Sequence, residues 1–256
     1  MLDIKLNVMA GWVDHFVIVE AMQTFTGRAK PLAYLENKAR FAPFHHQIVH
    51  VVVERFPDHI DFAWGREFHQ RDMGLRGLDG RCAADDLVMI TDTDEIVSEA
   101  AVQAFRGDYA RLLQERARFF LNHREALSRD RQRGLASIWK AGVLRRIGLS
   151  YARSGLGSVG NAPRLHDAGW HFTSMFDAAG IEDKFKSISH ETLAGVSRGE
   201  ISEAIGRVRT GEFDPGWERC ELDERYPQYI RDNPDRFAHL ILPARPGEPE
   251  AAGGRR

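Results

Sequence analysis

An α/β fold with a mainly parallel central sheet is what this chain predicts, and three features carry that expectation. Segments rich in β-branched residues alternate with helix-like ones through the first half. The strand-like segments are separated by helical crossovers, as in parallel sheets. A short apolar run, Leu87–Thr91, stops at the acidic cluster Asp92-Thr93-Asp94-Glu95, where an open sheet would present ligands at the carboxyl ends of its strands.

Taken in order, Val13–Ala21 reads as a buried strand because Val, Ile and Phe dominate it. A polar loop over Thr24–Pro31 leads to a short helical stretch, Tyr34–Phe41, and Gln47–Val53 forms a second strand. After Asp61, residues Trp64, Phe68, Leu75 and Leu78 fall on one face of a helix. Leu87–Thr91 is the third strand. Beyond it, Ser98–Glu115 is expected to be helical, and Arg118–Asn122 and Ile138–Leu144 to be strands. Ser154–Pro163 is a Gly-rich loop, and Ala168–Phe172 a short strand around Gly-Trp-His. Glu182–Ser189 and Ser197–Arg209 are helical, and residues 243–256, rich in Pro, Gly, Ala and charge, form a disordered tail. A single domain over residues 1–242 follows.

A net charge of −2 gives no reason to expect nucleic-acid binding. Cys82 and Cys220 stand alone, so there is neither a disulfide framework nor a Cys-x-x-Cys metal knuckle. No apolar run approaches the ~20 residues of a membrane span. A cytoplasmic protein is the expectation, with peripheral contact to a membrane left open.

Three acids packed at a strand end repel one another unless a cation or a proton relieves them. Asp92 and Asp94 offer the hard oxygen ligands that Mg²⁺ or Mn²⁺ takes beside substrate phosphates. A solvated acidic turn capping the next helix is the competing reading. Other short patterns carry less. Gly155-Leu-Gly157-Ser-Val-Gly160 has the letters of a dinucleotide fingerprint but lacks the strand before it and the helix after it. His46 and His50 share a strand face without a third ligand, which favours a structural role. His190-Glu191 lacks the second His of a zinc-protease helix but supplies a base candidate. Glu67 and Arg71, one helical turn apart, form a surface ion pair by default; beside a sugar or nucleotide they would give a hydroxyl acceptor and a phosphate fork.

Several stretches, in order, resemble glycosyltransferase family 17, the β-1,4-N-acetylglucosaminyltransferase family. They are Val13-Asp-His-Phe-Val-Ile-Val-Glu20, Thr24-Phe-Thr-Gly27 with Lys30-Pro-Leu32, then Trp64, Glu67 and Arg71. Asp86 through Ile96, Ala168-Gly-Trp-His-Phe172, Lys184 through Glu191, and Tyr226-Pro227 through Asn233 complete the set. The resemblance implies a GT-A-like nucleotide-sugar transferase fold. It also implies inverting transfer of a sugar, N-acetylglucosamine from UDP-GlcNAc, to an acceptor hydroxyl of a glycan or glycolipid, assisted by Mn²⁺ or Mg²⁺. Family members open with an additional strand ahead of the stretch matching Leu2–Met9, so that strand is expected to be missing here.

On this resemblance Asp94 is the main metal ligand, and Asp92 touches the metal, the ribose or the sugar and enters the catalytic set. His171 is a further metal or diphosphate contact, or else a core histidine. Glu95 orients its neighbours or meets the sugar. Glu191 and Glu67 compete as the base. Arg71 and Lys184 pair with phosphate, Trp64 or Trp170 stacks on the donor, and Glu20 and Lys30 complete the donor pocket. Two alternatives stand beside this: an inactive or sugar-binding relative, and a haloacid-dehalogenase-type phosphatase with Asp92 as nucleophile and Asp94 as acid/base.

Overall fold

The computed structural model describes residues 1–126, 132, 134–155 and 162–243. Helix α1 (Leu2–Met9) opens the chain and buries Ile4, Leu6 and Met9. Strands β1 (Phe16–Ala21) and β2 (Ile48–Val53) pair in parallel, Phe16 opposite Ile48 and Ala21 opposite Val53. Between them run α2 (Ala33–Glu36) and a 3-10 turn (Lys38–Phe44). The helical stretch after Asp61 is two helices, α3 (Ala63–Asp72) and α4 (Leu75–Leu78). They press onto β1 so closely that a Cβ on Gly77 would sit 2.4 Å from Val17 Cγ1. Of the expected apolar face, Leu78 is buried while Trp64 is 39% exposed.

From β3 (Leu87–Ile90) onward the sheets are mixed, which corrects the expectation of a mainly parallel central sheet. β4 (Glu95–Val97) follows the acidic turn. The expected helix over Ser98–Glu115 is real only as α5 (Glu99–Ala104), capped by Ser98; it gives way to β5 (Tyr109–Leu112) and β6 (Glu115–Arg118). Helix propensity in the Ala-rich start loses there to the burial of Ala110, Leu112 and Ala117 on strand faces. The strand expected at Arg118–Asn122 is instead a turn, and β7 (His123–Glu125) follows it. The one expected at Ile138–Leu144 is β8 (Ser137–Lys140) running directly into α6 (Ala141–Ile147). Then come α7 (Leu149–Gly155), β9 (Arg164–Leu165), β10 (Gly169–Thr173), α8 (Ala178–Ser187), α9 (Arg198–Arg209) and β11 (Trp217–Arg219). Short helices α10 (Gln228–Arg231) and α11 (Pro234–Phe237) close the described chain. Residues 156–160 of the glycine pattern, and the expected tail from residue 244 on, lie outside the described residues.

Besides the β1–β2 pair there is a four-stranded sheet in the order β3-β8-β5-β9 and a five-stranded sheet in the order β11-β7-β6-β10-β4. β3 and β4 are therefore edge strands of different sheets, and the acidic turn is the link between them. β3 is less enclosed than its apolar sequence suggests: Leu87 is 44% exposed, and within the strand only Ile90 is buried. One core unites the elements around the turn. Ile4, Leu6 and Met9 of α1, Ile96 of β4, Leu112 of β5, Ile138 of β8 and Phe172 of β10 pack together in it. Truncating such a side chain to Ala costs about 2–5 kcal/mol, so the strands flanking the turn are anchored hard. Among the described residues no helix is long and apolar enough to cross a membrane.

Candidate active site

The turn Asp92–Glu95 is closed by its own atoms. The Glu95 amide donates to the Asp92 carbonyl at 3.1 Å, and the Asp92 amide donates to Glu95 Oε2 at 2.7 Å. Glu95 is 1% exposed and begins β4, opposite His171 of β10. That pairing needs Gly169. Its φ is +115°, and a Cβ there would lie 2.1 Å from the Ile96 carbonyl, so only glycine lets β10 approach β4 and deliver His171 beside the turn.

Cations from three helices surround Asp92 and Glu95, two of them bonded to the carboxylates and one to the main chain beneath. Arg153 of α7 donates to Glu95 Oε2 at 2.9 Å, to Glu95 Oε1 at 3.1 Å and to Asp92 Oδ2 at 2.6 Å. It is 5% exposed; burial works against its charge, but Glu95 and Asp92 outweigh that and raise its pKa above the ordinary arginine value. Arg71 of α3 bridges Glu67 Oε1 at 3.0 Å and Asp92 Oδ1 at 3.4 Å. Lys5 of α1 reaches up from below, donating to Thr91 Oγ1 at 2.6 Å and to the Asp92 carbonyl at 2.7 Å. Burial brings the Lys5 ammonium down to about 8, against the pull of Glu95, Asp92 and Asp94. The repulsion within the cluster is thus relieved by the protein's own cations.

Asp94 faces elsewhere. Its Oδ1 lies 3.6 Å from His171 Nε2 and its Oδ2 3.4 Å from Lys184 Nζ of α8. Burial pushes its carboxyl up, yet His171 and Lys184 prevail and hold it at about 2. Its side chain keeps 17% exposure, His171 24% and Lys184 30%. These contacts are longer than the Arg153 bonds and leave room for exchange. Among the described residues no group of three or more His, Cys, Asp and Glu side chains is arranged to hold a metal ion. Asp94 and His171 still supply one carboxylate oxygen and one imidazole nitrogen. Such a partial protein set fits an ion that takes its remaining ligands from water and substrate phosphates.

Edge strands of two sheets meeting at an acidic turn, ringed by cations, point to anionic substrate chemistry. The sequence model of glycosyltransferase family 17 matches residues 1–203. The chain belongs to glycosyltransferase family 17. No curated protein and no solved structure matches it. Family membership makes the chain a glycosyl-transfer protein with a sugar donor and a glycan acceptor, which speaks against the phosphatase alternative.

In this family-17 chain the structure gathers Glu67, Arg71, Asp92, Asp94, Glu95, His171 and Lys184 around one turn. Asp92 is half-exposed, with both oxygens turned toward guanidinium groups. Glu95 is enclosed by Arg153 and the Asp92 amide, a position that orients the turn rather than one that meets a ligand. Glu20 sits apart, near the end of β1, where it accepts from the Tyr34 amide at 2.9 Å and faces His50 Nε2 at 2.9 Å. His46 precedes β2, so only His50 of the expected pair lies on that strand. Lys30 has no side-chain hydrogen bond or ion pair among the described residues. Trp64 stands exposed on α3 with His190 edge-on at 4.8 Å, a surface suited to a sugar ring. Trp170 is a core residue, 3% exposed and stacked between Phe172 and Tyr226. Glu191 opens a 3-10 turn whose preceding Ser189 hydroxyl donates to the Ala63 carbonyl of α3; the Glu191 side chain lies outside the described residues. Lys5 and Arg153 were missed by the sequence reading, since their partners lie far along the chain.

Proposed function

We propose that this chain is an inverting, metal-assisted transferase on a GT-A-like frame, moving N-acetylglucosamine from UDP-GlcNAc to an acceptor hydroxyl. The observation that carries the proposal is the position of Asp94 at the junction of two sheets, its ionised carboxylate paired with His171 and Lys184 among the described residues. Asp94 and His171 would hold Mn²⁺ or Mg²⁺, and the ion's contribution is to neutralise the charge that builds on the departing diphosphate.

The residues around it divide the remaining work. Lys184 and Arg71 meet phosphate oxygens, and the exposed edge of Asp92 accepts from a hydroxyl of the ribose or the sugar. Trp64 provides a ring face for a sugar. The acceptor proton goes to a carboxylate at the α3 edge, Glu67 or Glu191; Glu67 is held ready by Arg71. A bacterial-type acceptor, a surface polysaccharide, lipopolysaccharide or glycolipid, is the class proposed for the glycan.

The test is release of UDP from UDP-GlcNAc by the purified protein, with Mn²⁺ and with chelator, beside other nucleotide sugars. Metal-dependent UDP release selective for UDP-GlcNAc is expected. Selectivity for another donor would overturn the sugar assignment, and full activity in chelator would overturn the metal.

A further inference from the structure

Away from the acidic turn, two arginines lie side by side without a counter-charge among the described residues. In the four-stranded sheet a single row of paired residues runs Ile90, Ser137, Arg111, Arg164 across β3, β8, β5 and β9. Because Arg111 and Arg164 are direct partners in a parallel pair, their side chains leave the same face of the sheet. It is the face that Ile90 and Trp139 share with Leu144 of α6 and with Leu149 and Ala152 of α7, the helix that sends Arg153 to the turn.

Neither guanidinium has a hydrogen bond or ion pair among the described residues, and Arg111 Nη2 is buried without a partner. Burial and the neighbouring charge of Arg164 both lower the Arg111 pKa. The arginines of the five-stranded sheet behave differently: Arg116 meets Glu125 at 3.0 Å, Arg118 meets Asp214 at 2.6 Å and Arg124 meets Glu218 at 2.6 Å. Acids outnumber bases in this chain, 37 to 35, so an uncompensated pair is not a by-product of general basicity.

We infer that Arg111 and Arg164 form a binding point for a phosphate group of the reacting molecules, on the same sheet face as the acidic turn. Two planar forks side by side match the oxygens of a phosphate, and binding would remove the repulsion between them. Strand spacing sets Arg111 about 10 Å and Arg164 about 14 Å from Ile90, two and three strands across. The phosphate belongs either to the donor diphosphate or to a phosphorylated acceptor. That choice rests on the transferase proposal, whereas the binding point itself does not.

Calorimetry at fixed ionic strength, with UDP and separately with glucose 1-phosphate, tests it on Arg164→Gln and Arg111→Gln. Arg76→Gln, an exposed site on α4, controls for net charge. Loss of about tenfold in UDP affinity in both sheet variants supports a donor phosphate. The same loss for glucose 1-phosphate, with UDP unchanged, supports an acceptor phosphate. Unchanged affinities for both probes, or an equal loss in Arg76→Gln, would overturn the inference. Should UDP not bind the unaltered protein at all, the donor proposal fails while the sugar-phosphate arm still reads the pair.

Discussion

Asp92 with Glu95, and Asp94 two residues from one and adjacent to the other, occupy one turn yet stand in opposite electrostatic conditions. The first pair is clamped by Arg153, whose contacts run from 2.6 to 3.1 Å, with Glu95 sealed from solvent. Among the described residues, the Asp94 carboxylate pairs with His171 at 3.6 Å and Lys184 at 3.4 Å. A buried ion pair with complete hydrogen bonding is costly to break but does not exchange readily. A carboxylate ionised by longer contacts can change partners when a phosphate and a metal arrive. The difference teaches that a cluster of acids need not act as one site: here Glu95 builds the turn, Asp92 is tied to it through Arg153 while keeping an exposed edge, and Asp94 is presented by it.

Breaking the clamp should have the largest effect. Arg153→Ala leaves Glu95 charged and buried, and is expected to cost about 3–5 kcal/mol, read from the urea midpoint. A cost below about 1 kcal/mol would show that the clamp does not hold the turn. Next comes Asp94→Asn, expected to lower transfer about 10²–10³-fold, while its stability cost, about 2 kcal/mol from the lowered pKa, stays below that of Arg153→Ala. A fold collapse like that of the arginine variant would erase the distinction between the two halves.

Titration sharpens it further. Asp94 has a folded pKa of about 2 against an ordinary 3.8, so its stabilisation is full above 3.8 and disappears as pH falls toward 2. Lys5 runs the other way: at about 8 when folded against 10.5 unfolded, the unfolded chain binds more protons in between. Stability should therefore rise from pH 8 to 10.5, and this rise should be absent in Lys5→Met. Parallel urea curves for both proteins across that window would contradict the burial of its charge. The smallest effect is expected from Lys30→Ala, within about 0.5 kcal/mol of the unaltered protein.

Much of the site was legible. A β-branched run ending in acids marked the turn, and the Gly-Trp-His segment placed His171 on a strand that lies beside it. The helix expected over Ser197–Arg209 is α9, started by the Ser197–Glu200 capping box, whereas α8 starts at Ala178 behind Asp177, ahead of the expected Glu182. What stayed hidden was long-range. Arg153 meets Glu95 across 58 positions, and Lys5 meets Asp92 across 87; no local periodicity encodes such pairs. Strand direction was hidden too, because β5 and β6 carry small Ala and charged Arg where β-branched residues would have announced strands. Trp170 read as a stacking platform because an aromatic beside a histidine looks the same in sequence whether it faces a ligand or Tyr226.

The division within the turn meets its most direct test in calorimetry of UDP with and without Mn²⁺, on the unaltered protein and on Asp94→Asn. Metal should strengthen UDP binding in the first and not in the second. An undiminished metal effect in Asp94→Asn would contradict the account.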